Sequence, residues 1–79
     1  MTAVNKAEMR EIFLDHLDRL RASYKTRSSD CRAAYEAADA SGDTWTAGLE
    51  RGLSMAYGMA AEDLAAAVET ERKLQRVTA

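Results

Sequence analysis

The chain has no proline, a single cysteine and a single histidine, and its hydrophobic runs are short. Without proline, nothing in it forces a kink or stops a helix from within. Cys31 alone cannot close an intramolecular disulfide, and with His16 the only histidine there is no cluster at zinc spacing. The longest uncharged run, Gly52 to Ala61, is far short of a membrane span, and the first residues lack the basic-then-apolar pattern of a signal peptide. A cytoplasmic chain is the expectation. Formal charge is −2, which argues against a general binder of nucleic acid or anionic membrane.

What remains is rich in alanine, nearly half hydrophobic, and spaced for helices. Seventy-nine residues allow one domain, residues 1–79, and a chain of this size without disulfide or metal gains burial most simply by self-association.

Asn5-Lys6-Ala7-Glu8 has the form of a capping box and sets the start of a first helix. Apolar residues then recur at threes and fours through Met9, Ile12, Phe13, Leu17, Leu20, Tyr24, Cys31, Ala34, Tyr35 and Ala38. The pattern weakens at Arg27 and Ser28, where Ser28-Ser29-Asp30 offers an alternative N-cap, but its phase resumes at Cys31, so one helix over about residues 6–40 is expected. Ser41-Gly42-Asp43 is the clear turn. A second helix over about 44–77 carries Trp45, Leu49, Leu53, Ala56, Ala60, Leu64, Ala67 and Leu74. The fold class is therefore all-α, a long antiparallel helical hairpin.

Folding about residues 42 and 43 predicts which residues lie side by side. Glu8 and Glu11 fall near Lys73 and Arg76, and Arg19, Arg21 and Lys25 fall near Glu62 and Asp63. Trp45 falls beside Ala37, Ala38 and Ala40, and Tyr24 beside Ala60 and Ala61. The stretch from Gly48 to Val68 is apolar or small on more than one side, more than one neighbouring helix covers. Two hairpins joined face to face into a four-helix bundle would cover it, so a homodimer is expected.

Candidate interface residues are Gly48, Gly52, Leu53, Met55, Ala56, Met59 and Leu64. Gly48 and Gly52 suggest close helix approach, and Met55 and Met59 share a face suited to adaptable binding. Leu14, off the main stripe among charged residues, reads as exposed apolar surface. Together these features point to a non-catalytic module that docks on another protein as adaptor, regulator or inhibitor, of the kind phages and mobile elements encode.

An alternative rests on Arg19, Arg21, Lys25, Arg27 and Arg32, a basic run with Tyr24 among it. Doubled in a dimer, it resembles in architecture the Rop-type hairpin dimers that bind paired RNA loops, and that resemblance implies an RNA- or DNA-binding regulator. No cofactor, metal or catalytic site is expected. His16 lacks the Glu-x-x-His spacing of bundle metal sites. Arg10 and Arg27 could serve a small helical mutase, but the lysine such sites need is absent between Ala33 and Ala40.

Overall fold

The computed structural model describes residues 5–78. Helix α1 spans Lys6–Ala40 and helix α2 spans Thr44–Thr78, packed as an antiparallel hairpin 58 Å long. The expected boundaries hold at both helices, and α1 runs unbroken through Ser28.

The ends are made by the residues that the local pattern singles out. Asn5 is extended, and its side chain accepts a hydrogen bond from the Glu8 amide at 2.8 Å. The Glu8 carboxylate returns toward the Asn5 side-chain amide at 3.3 Å, closing a side-chain version of the box. At the turn the Asp43 amide donates to the Ala38 carbonyl at 2.9 Å, which caps the last turn of α1. Gly42 sits at φ 79°, a conformation that a side chain would strain. Asp43 then caps α2 by accepting from the Thr46 amide at 3.1 Å.

Between the helices the seam follows a strict alternation of three- and four-residue steps. On α1 it runs Leu14, Leu17, Arg21, Tyr24, Ser28, Cys31, Tyr35 and Ala38, and on α2 Ala47, Glu50, Ser54, Tyr57, Ala61, Leu64 and Val68; every one is buried or half-buried. A mean step of 3.5 keeps one stripe of each helix against the other along a supercoiled pair. The occupants are unusual for such a seam, since Arg21, Ser28, Glu50 and Ser54 take places commonly held by leucine.

Ser28 and Ser54 explain how the polar middle is stable. The Ser28 hydroxyl donates to the Ser54 carbonyl at 2.8 Å, and the Ser54 hydroxyl donates to the Ser28 carbonyl at 2.9 Å. Each hydroxyl thus satisfies itself on the opposite backbone, which only a small side chain at close approach permits. Gly58 extends that closeness, because a Cβ there would lie 3.3 Å from the Ser28 hydroxyl. This reciprocal pair also sets the register. Ser28 faces Ser54, where a fold about residues 42 and 43 places it opposite residue 57.

Several expected neighbours change accordingly. Tyr24 stacks on Tyr57, with ring centroids 5.9 Å apart, a partner the simple fold did not give it. Trp45 is 77% exposed and does not pack on Ala37, Ala38 and Ala40 within the hairpin. Leu14 reverses its expected role: among the described residues it is the one large side chain fully buried, held between the helices near their open end. Among the described residues the cross-helix ion pair is Asp18 with Arg72 at 3.2 Å, not Arg19, Arg21 or Lys25 with Glu62 or Asp63. Glu11 and Arg76 line a common groove without an ion pair.

Candidate functional site: an uncovered apolar face

The groove beside the seam tells one side of the hairpin from the other. Arg21, Lys25, Ser28 and Ser29 of α1 and Gly58, Ala61, Glu62 and Ala65 of α2 line a shallow depression of about 410 Å³, so these positions share one side. On the opposite side the Arg27 guanidinium lies over the Tyr57 ring at 5.8 Å. Side chains seven residues apart keep their orientation along such a supercoil. Phe13, Leu20 and Ala34 therefore join Arg27 on that second side, and Leu53, Ala60 and Ala67 stand there on α2.

That second side carries most of the large apolar surface. Met9, Ile12 and Phe13 are 59%, 65% and 58% exposed and, with His16, line an open apolar depression near the start of α1. On α2, Leu49 and Leu53 are 48% and 36% exposed, and Met59 at the stripe's outer edge is 63% exposed. Leu17, Leu20, Tyr24, Cys31 and Ala34 on α1, with Ala60 and Leu64 on α2, are half-buried, at the corner between the seam and this face. The hairpin thus closes one apolar stripe on each helix and leaves a second, turned the same way on both, open to solvent.

The candidate interface residues divide between these places. Leu53, Ala56 and Met59 belong to the open face, while Leu64 belongs to the seam, where it is half-buried. Met55, 60% exposed, and Gly48 lie toward the other side of α2. A Cβ at Gly48 or Gly52 would meet nothing within 4 Å, so neither glycine serves a close approach inside the hairpin.

The five basic residues are spread around α1. Arg21 is half-buried beside Asp18, at 3.9 Å, and shares the groove with Lys25. Arg32, seven residues beyond Lys25, continues that side, whereas Arg27 covers Tyr57 and Arg19 points away from α2. Sequence proximity gathers these charges; the helix separates them.

Among the described residues two groups have shifted acidities. Burial first, and then the neighbouring Glu50 and Asp30 carboxylates, push the Cys31 thiol up, so thiolate character is suppressed. Hydrogen bonds from Thr46, side chain and backbone, hold Asp43 below its ordinary value, as an N-cap carboxylate requires. Among the described residues no group of three His, Cys, Asp or Glu side chains is arranged to hold a metal ion. No helix there is long and apolar enough to cross a membrane.

Comparison of the chain with protein-family models, with curated proteins and with solved structures finds no match.

Proposed function

We propose that this protein is a non-catalytic protein-interaction module that works through its open apolar face, and that the face is covered first by a second copy, making a four-helix bundle. The observation that carries this reading is the common orientation of the two exposed stripes. Scattered apolar residues on a surface need no explanation, but a continuous band across two helices does.

The surface area agrees. The hairpin exposes 6216 Å² at 8.7 kDa, whereas a compact monomer of this mass exposes about 4,700 Å². The excess, roughly 1,500 Å² per chain, is ample for a specific dimer, which typically buries about 1,600 Å² over both partners. The corner residues Leu17, Leu20, Tyr24, Cys31, Ala34, Ala60 and Leu64 would then become the bundle's centre.

Met55 and Gly48 would remain outside such a dimer. They supply the residual surface on which a larger protein could be engaged by an adaptor, regulator or inhibitor. Binding of nucleic acid finds less support, because Arg19, Arg21 and Lys25, Arg27 and Arg32 do not form one continuous patch.

Leu53→Asp tests the reading. A carboxylate at the centre of the covered face should shift sedimentation from a dimer to a monomer at micromolar concentration. A folded Leu53→Asp protein that sediments as a full dimer would sink the assignment of this face.

A further inference from the structure

We propose that the two hairpins pair with their turns at the same end, related by a twofold axis along the bundle, so that each α1 lies against the partner's α2. This deepens the dimer reading above and rests on it. A twofold along the helices leaves no freedom to slide. Each residue of α1 must meet the residues of the partner's α2 that it is already level with in its own hairpin.

The Ser28–Ser54 pair fixes those levels, since both helices rise about 1.5 Å per residue. Nine residues before Ser28 stands Arg19, and nine after Ser54 stands Asp63. Nine residues the other way stand Ala37 and Trp45. Within one hairpin the members of each pair sit toward opposite outer edges and do not meet. In the proposed dimer they do, and Arg19 finds the partner's Asp63 at the rim of the contact.

Bulk is distributed in the same register. Large side chains of the open face occupy the first half of α1, at Met9, Ile12, Phe13 and Leu20, and the turn end of α2, at Trp45, Leu49 and Leu53. Ala34 and Ala37 continue the face on α1, and on α2 the alanines Ala56, Ala60 and Ala67 alternate with the exposed Met59, Leu74 and Val77. Phe13 therefore meets the partner's Thr70, Ala34 meets the partner's Leu49, and Ala37 meets the partner's Trp45. Such large-against-small alternation is what a close-packed interface needs.

The opposite arrangement, with turns at opposite ends, lays α2 on the partner's α2. It brings Trp45 and Leu49 against the Thr70–Val77 end, away from the alanines. It also leaves Asp63 without the partner's Arg19.

A spin label at position 39, in a Cys31→Ser, Asp39→Cys protein shown to be helical, distinguishes these by pulsed dipolar spectroscopy. Paired turns place the two labels within about 35 Å, given helix spacings near 10 Å. Opposed turns place them about 50 Å apart, from the rise of helices this long. The short distance is the expected result. The long one overturns the orientation while leaving the dimer intact, and absence of dipolar modulation in a protein of single-chain mass overturns the dimer itself.

Charge exchange reads the same contact independently. Arg19→Asp should weaken dimerisation about fivefold or more, and adding Asp63→Arg should restore it, as expected for a symmetric, exposed pair counted twice. No restoration by the second change would contradict the pairing of these two residues.

Discussion

Ser28 and Ser54 hold places in the seam where leucine would bury more surface, and their value lies in the hydrogen bonds each hydroxyl makes to the opposite backbone. Ser28→Ala should lower stability by about 1 kcal/mol, the usual net worth of such a bond. Because the bonds are reciprocal, the double variant with Ser54→Ala should cost less than the sum of the singles, by about 0.5 kcal/mol or more. Urea denaturation measures both quantities, and strict additivity would mean that the serines act separately. Gly48 makes the contrary case. It is mid-helix, nothing lies within 4 Å of its missing Cβ, and it faces away from the proposed contact. Gly48→Ala should raise stability by about 1 kcal/mol through backbone entropy. A loss of stability would reveal a close neighbour at Gly48 in the assembled protein.

Each helix is defined by its two ends and by the stripe it gives to the seam. Leu14→Ala should cost about 3 kcal/mol, since its side chain is fully enclosed. A cost under 1 kcal/mol, by denaturant titration, would show that the open end of the hairpin is loose. Asp43 makes the cap of α2 pH-dependent. Folding lowers its pKa, so its contribution is present above the ordinary value of 3.8 and fades as pH falls through the lower folded value. The thermal midpoint of Asp43→Ala should therefore lie below that of the unaltered protein at pH 7, with the gap closing toward pH 2. A gap independent of pH would argue against the carboxylate as the cap.

At this scale the helices and their caps were legible, because Asn5, Gly42 and Asp43 act through their immediate neighbours. The seam was harder to read. Leu17, Leu20, Tyr24, Cys31 and Ala34 form one apolar stripe in the sequence, yet they mark the corner between two faces. The seam takes Leu17, Tyr24 and Cys31 from that stripe but also passes through Arg21, Ser28, Glu50 and Ser54, whose polarity conceals it until their partners are seen. Leu14 was misread for the same reason: its charged neighbours in sequence say nothing of the helix packed against it.

For the whole molecule, the question is what covers the second stripe. An elongated pair of helices buries one face of each, and here the remaining face is apolar along much of its length. The proposed function through association rests on that surplus. Docking of a larger protein on the Met55 side, and any role for Lys25 and Arg32, would build on the dimer.

Light scattering on the purified protein over a dilution series tests this most directly. A mass of twice 8.7 kDa, constant to low micromolar concentration, is the predicted result. A mass of one chain across the series would contradict it, and would mean that Met9, Ile12, Phe13, Leu49 and Leu53 await a protein other than this one.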